Sequence, residues 1–233
     1  MSVFAFLDVP AFYALHAVAA LAGALHPLLG AAAAAAVIVL TTVLVRLALH
    51  PLARLQVRGE KLRARLAPQL KELTARHRDD PARLREAQAE LYRSEGGSPL
   101  AGCLPSLVMW PFIAVLYRLF SLPVLGGHTN TLLAGTLAGI PLGTRLTSAL
   151  PGQLPVFLVL YALLAGAALV AFRRARRAAA SADPAAPAAP GAGLLPYLSF
   201  GTMVFAAFVP LSAGLYLLTT TVWTLAERGL LRS

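Results

Sequence analysis

Apolar residues fall along this chain in long blocks, and one extended polar stretch divides them. A helix that crosses a bilayer needs roughly 20 mainly apolar residues. Residues 30–51 meet this with a single interior charge, Arg46. Residues 102–122 form a second block containing Pro105 and Pro111, which spans tolerate where neighbours satisfy the freed carbonyls. Residues 151–172 form a third, closed by Arg173, Arg174, Arg176 and Arg177. The last block is too long for one crossing, and Pro210 with Gly214 divides it into short crossings at 194–209 and 210–227. Residues 123–150 hold Pro123, Gly126, Gly127, Asn130 and Pro141 and read as an outer loop. Residues 1–29 are apolar but carry His16, His26 and Pro27. They read as a helix at the outer membrane interface rather than a sixth crossing, without the basic start of a cleaved signal.

The polar stretch, 52–98, has helical periodicity. Leu62, Leu66, Leu70 and Leu73 make one stripe, and Leu84, Ala87 and Leu91 make another. Between them Asp80 is a suitable N-cap and Pro81 a suitable first helical residue, while Gly96-Gly97 ends the second helix. The spacing predicts an antiparallel helical hairpin with charges outside. Such a pair is either a solvated connection or a docking arm for cytoplasmic partners. Its acidic residues balance the basic ones too closely for a dedicated nucleic-acid binder.

Composition agrees with the pattern. The 233 residues are 58% hydrophobic and 13% charged, with a mean hydropathy of +0.70. Soluble domains carry about 25% charged residues, so a soluble globule is excluded, as is a disordered chain. One cysteine excludes a disulfide framework and a Cys-based zinc site. The net charge of +10 is unevenly placed. Lys and Arg concentrate in 52–98, in the basic then Pro/Ala-rich linker 173–193, and in the tail 228–233, whereas only Arg145 lies between the second and third crossings. An excess of Lys and Arg marks the cytoplasmic side. Five crossings with the N-terminus outside and the C-terminus cytoplasmic put every basic cluster inside. The fold class expected is an all-α polytopic membrane protein.

Arg46 is the most informative residue. A charge within a span costs about 2.5–3.5 kcal/mol on insertion scales. It faces a cavity, or it snorkels to the nearby inner end. Thr42 precedes it by one turn and His50 follows by one, so the three share a helix face. No Asp or Glu falls within the charge-free blocks, the last of which ends at Ala226, to pair with it. A proton-coupled transporter normally needs a carboxylate or histidine relay. The chain shows no Ser-His-Asp grouping, metal-ligand cluster or phosphate loop, so no catalytic, metal or cofactor site is assigned and the chain reads as a non-enzyme. Leu100-Ala101-Gly102-Cys103 looks like a lipoprotein cleavage box, but it lies mid-chain and precedes its apolar block.

Several residues carry a resemblance: Val45-Arg46-Leu47 and Pro51-Leu52, Leu91-Tyr92, the run Pro99-Leu100-Ala101-Gly102-Cys103-Leu104-Pro105, Pro111-Phe112, Leu116-Tyr117, then Pro210, Gly214-Leu215-Tyr216 and Trp223. In this order and spacing, over nearly all of residues 30–230, the chain resembles the YidC family of membrane protein insertases, with its mitochondrial and chloroplast relatives. The resemblance implies five transmembrane helices around a hydrophilic groove open to the cytoplasm and lipid. It implies that Arg46 attracts acidic segments of nascent membrane proteins and that the hairpin engages them near the ribosome and the Sec channel, in a bacterial inner membrane. The groove residues it implies are Arg46, Thr42, Met109, Thr220 and Thr221. Family members often carry Gln where this chain has Met109 and Asn where it has Thr221, which implies a less polar groove supplied with hydroxyls by Thr219, Thr220 and Thr221. The alternative reading is a small channel or carrier for anionic solutes.

Overall fold

The structure, a computed structural model, describes residues 8–98, 104–180 and 197–232. Most of them are helical. Among the described residues, two apolar segments are long enough to cross a membrane, Val9–Ala48 and Pro151–Arg177, and Leu107–Ser121 is a shorter one. Residues 1–7, 99–103, 181–196 and 233, with the whole Pro-Leu-Ala-Gly-Cys stretch and most of the linker, lie outside the described residues.

Helix α1 covers Asp8–Leu29, and α2 covers Ala33–Ala48. Gly30, at φ +53°, turns the chain between them, a conformation that costs glycine nothing. Helix α3, His50–Arg76, follows α2 with only Leu49 between. Pro51 lacks the N–H that would continue the α2 ladder, so the helix breaks and restarts there. The hairpin arm is therefore a direct extension of α2, beginning slightly earlier than the boundary at residue 52 expected from the sequence.

Helix α4, Pro81–Ser94, completes the hairpin. The Asp80 side chain accepts from the backbone N–H groups of Ala82 at 3.1 Å and Arg83 at 3.0 Å. At the other end Gly96, at φ +67°, donates to Arg93 O at 3.0 Å and Gly97 to Tyr92 O at 2.8 Å, a Schellman closure. Of the leucine stripe, Leu66 is fully buried while the rest stay half-buried. The hairpin covers little apolar surface of its own.

Helix α5 is Leu104–Ser121, α6 is Leu154–Ala180, α7 is Leu198–Ala206 and α8 is Leu211–Arg232. Helix α7 is shorter than the expected crossing at 194–209, and two other helices outrun their expected spans at the C-terminal end. Helix α6 runs through the arginine cluster to Ala180, and α8 runs past residue 227 to Arg232. The reason is the same in both places: charge ends an apolar span, but Arg, Ala, Glu and Leu are good helix formers and do not end a helix. Pro210 does separate α7 from α8.

Helix α2 packs against α1 and α8, α5 against α1, α3 and α8, and α6 against α7 and α8. The connection between α5 and α6 is not a plain loop. It folds into two short antiparallel pairs, β1 (Val124–Leu125) with β2 (His128–Thr129), and β3 (Thr136–Leu137) with β4 (Ile140–Pro141). Its Leu125, Leu132, Ile140 and Leu142 are buried in one core with Val37, Ile38, Leu119, Phe120, Leu164 and Leu211. Asn130, buried in this connection, donates to Leu119 O in the last turn of α5 at 2.7 Å and to Leu122 O just beyond it at 2.9 Å, and accepts from Leu132 N at 3.2 Å. Ser212 Oγ donates to Phe120 O at 2.6 Å, and the Ser212 N–H donates to Leu142 O at 3.0 Å. Orphan groups at two helix ends are thereby satisfied inside the protein, which closes this end of the bundle. The outward faces are apolar: Leu107, Val108, Trp110 and Phe112 on α5, Leu158, Val159 and Leu163 on α6, and Val204 and Phe205 on α7 are exposed. Exposed apolar surface on this scale belongs against lipid or a partner, not water.

Candidate functional site

Arg46 sits in the last turn of α2, half-buried, with α8 opposite. Its Nε donates to Thr220 Oγ1 at 2.9 Å, and Nη2 donates to the same oxygen. The guanidinium is therefore held by a neutral acceptor across the bundle and does not extend to the helix end as a snorkelling side chain would.

A cavity of about 170 Å³ opens beside it, lined by Arg46, Ala53, Gln56, Val57, Met109, Ile113, Thr224, Glu227, Arg228 and Leu231. Helices α2, α3, α5 and α8 thus all contribute to its wall. A second, larger cavity of about 640 Å³ lies between α6 and α8, lined by Arg174, Arg177, Thr220, Thr221, Thr224 and Arg228 among others. Helix α8 forms a shared wall, with Thr224 and Arg228 facing both. The closed end of the bundle lies on one side of these cavities and the base of the hairpin on the other.

The five residues singled out from the sequence do not play equal parts. Arg46 and Met109 line the first cavity, and Thr220 carries the hydrogen bond to Arg46. Thr42 lies on the same face of α2 but is wholly buried, its hydroxyl donating to Ile38 O at 2.7 Å, so it belongs to the core. Thr221 faces the second cavity, and its hydroxyl donates to Leu217 O at 2.7 Å. Thr219 likewise donates to Leu215 O at 2.8 Å. Consecutive helical residues point about 100° apart, so three adjacent threonines cannot all serve one groove.

The sequence reading missed Glu227. Arg46 does not occupy a carboxylate-free cavity: α8 continues beyond the apolar block and brings Glu227, 7% exposed, into the same cavity wall. A signal was available, since Tyr216, Thr220, Thr224 and Glu227 follow at steps of four, four and three, a single face of α8. Ending the charge-free block at Ala226 cut that stripe one residue short. Glu227 Oε1 lies 2.5 Å from His50 Nδ1, and Arg54 Nε donates to His50 Nε2 at 3.0 Å. Arginine only donates, so Nε2 must accept and the ring proton is assigned to Nδ1, pointing at the carboxylate. Lys61 Nζ donates to Leu231 O at 2.8 Å, and Arg228 pairs with Glu60 at 3.4 Å. The base of α3 is thus tied to α8 at three levels.

A family model for the 60Kd inner membrane protein matches residues 24–233. The membrane protein insertase YidC of Granulibacter bethesdensis is 40% identical over 81 residues, which cover 35% of this chain and 14% of that protein. The membrane protein insertase YidC of Thiobacillus denitrificans is 39% identical over 80 residues, covering 34% of this chain and 15% of that protein. The inner membrane ALBINO3-like protein 2, chloroplastic, of Chlamydomonas reinhardtii is 37% identical over 107 residues, covering 40% of this chain and 25% of that protein. The chain matches well under half the length of each of these relatives. The family match nevertheless runs through α2, the hairpin and α8, and so takes in Arg46, Thr220 and Glu227 together: the chain belongs to the 60Kd inner membrane protein family, that of YidC.

Proposed function

We propose that the chain is a membrane protein insertase and assembly chaperone, which moves nascent membrane proteins from the cytoplasm into the bilayer through the cavity at Arg46. The observation that carries this reading is a half-buried guanidinium, held by Thr220 beside a cavity of mixed charged and apolar lining at the hairpin base, with a stitched core closing the opposite end. A hydrated recess part-way into the bilayer shortens the apolar path that a polar segment must cross, and a fixed positive charge favours segments bearing carboxylates. The names of the YidC relatives agree with this activity.

In this reading α2, α5, α6, α7 and α8 are the five crossings, and the hairpin and C-terminus lie in the cytoplasm of a bacterial cell, with the N-terminus outside. The position of α1 favours the membrane interface over a sixth crossing. Along its length it stays against the closed end, with the Phe12 ring 4.8 Å from that of His128 and its far end beside Gly135 and Thr136. Helix α7 has nine residues, about 13 Å of helix. Such an element favours a thinned bilayer beside α6 and α8, where a substrate helix would leave sideways. The hairpin is the surface we assign to the ribosome and the Sec channel, and lipid covers the apolar faces of α5 to α7. No dedicated nucleic-acid contact is proposed. A channel for anionic solutes is disfavoured, because Val37, Ile38, Phe120, Leu142 and Leu211 fill the closed end.

Photo-crosslinking tests the proposal. A crosslinking residue at Met109, Ile113 or Thr224 should capture ribosome-bound nascent membrane proteins during insertion. Capture no stronger than at Ala53-distant solvent positions on α4, combined with anion flux through vesicles carrying the purified protein, would replace the insertase reading by the channel.

A further inference from the structure

Glu227 is a buried charge to which the proposed insertion step gives no part. Its carboxylate, 7% exposed, is fixed by the imidazole of His50 at 2.5 Å, and that ring is in turn held by Arg54 Nε at 3.0 Å. The hydrogen-bonding partner is thus an imidazole and not a guanidinium. Glu227 and Arg46 stand on the α8 and α2 walls of one cavity, close enough for their charges to interact. They are staggered. Arg46 is anchored at Thr220, and Glu227 comes seven residues later on α8, which places it about 10 Å nearer the hairpin base. Arg228, beside Glu227 in the cavity wall, is paired with Glu60 at 3.4 Å, so a polar segment entering from that side meets the Glu227 carboxylate before it meets the Arg46 guanidinium.

We infer that Glu227 sets the charge selectivity of the cavity: its carboxylate opposes acidic substrate segments on their way to Arg46 and favours polar segments that are neutral or carry a basic residue. The inference rests on the insertase reading and names the class of segment the site takes. Charge separates it from a mechanical alternative, in which Glu227 merely pins α3 to α8 through His50. Glutamine keeps an oxygen that accepts the His50 proton, so Glu227→Gln removes the charge and leaves the pin. Glu227→Asp keeps the charge.

The experiment uses the full chain in vesicles of phosphatidylethanolamine and phosphatidylglycerol. Two single-span peptides differ only in their translocated tail, one with two Asp and the other with two Asn. Insertion is read by protease protection as the acidic-to-neutral ratio. Glu227→Gln should raise that ratio on the order of tenfold, as expected for one charge acting at this range in a partly buried site. Glu227→Asp should stay close to the starting protein. A ratio unchanged or lowered in Glu227→Gln overturns the inference, as does a Glu227→Asp variant that behaves like Glu227→Gln. Insertion of neither peptide by the unsubstituted chain above protein-free vesicles overturns the insertase reading itself, and this inference with it.

Discussion

Replacing Arg46 separates an attracting charge from a structural tie. The side chain makes both: it is a fixed cation beside a cavity, and it bonds α2 to α8 through Thr220. The tie alone is modest, since a hydrogen bond of a charged donor contributes about 1.5–3 kcal/mol net. The same exchange governs an arriving substrate carboxylate, which would compete with Thr220 for the guanidinium. At about 4 Å and an effective dielectric of about 20, the gross attraction is about 4 kcal/mol. Desolvation takes back much of this, leaving about 1.5–3 kcal/mol per carboxylate, or about 10- to 100-fold in occupancy. We therefore expect Arg46→Gln to lower insertion of a substrate with an acidic tail at least about tenfold, and of its Asn-tailed counterpart much less. Arg46→Lys should retain most of the acidic-tail activity, short of what the bidentate fork provides. Thr220→Val removes the tie but keeps the charge, so thermal unfolding of that variant in detergent measures the structural share separately. Equal losses on acidic and neutral tails in Arg46→Gln, matched by Thr220→Val, would show that Arg46 is a strut and not an attractor.

Three further expectations concern the frame around that site. Asn130→Ala strips a buried donor from the carbonyls of Leu119 and Leu122 and should destabilise the protein by about 2–4 kcal/mol, read as a lower unfolding temperature in detergent; an unchanged midpoint would deny that the stitched connection closes the bundle. Amide exchange should be fast in α4 and the distal part of α3 but slow at the base of α3, where His50, Glu60 and Lys61 are tied to α8, and uniform fast exchange along α3 would contradict those ties. A Cβ at Gly214 would meet Leu160 Cδ2 at 2.8 Å, so Gly214→Val should separate α6 from α8 and cost about 1–3 kcal/mol, checked by the same unfolding measurement; a neutral result would mean that the seam is loose.

What could be read from the sequence depended on whether the signal was local. The caps of α4 lay in Asp80-Pro81 and Gly96-Gly97, because a cap is a contact within a few residues. The separation of α7 from α8 lay in Pro210, which cannot continue a helix. Arg46 was legible because a charge in an apolar block is costly wherever it points. The connection 122–153 was not, since its glycines and prolines mark turns but say nothing of which leucines between them reach the core; Leu125, Leu132 and Leu142 acquire that role only when the ends of α5 and α8 come together around Asn130 and Ser212. Glu227 failed for a related reason. Scanning for charge-free blocks treats the first charge as the edge of the membrane, whereas a helix face continues through it.

That difference changes how the site is understood. A lone intramembrane arginine asks for a counter-charge from outside, and an acidic substrate is the natural candidate. With Glu227 two turns beyond Thr220 on the same helix face, the cavity already contains one carboxylate, and the incoming segment meets a graded field instead of a bare cation. His50 makes this arrangement possible. It orients the carboxylate with a neutral donor, which leaves the negative charge in place, whereas a guanidinium at the same contact would have cancelled it. Because His50 is the first residue of α3, the group that orients the carboxylate belongs to the same helix that forms the hairpin arm, so a displacement of that arm would move the carboxylate's anchor as well.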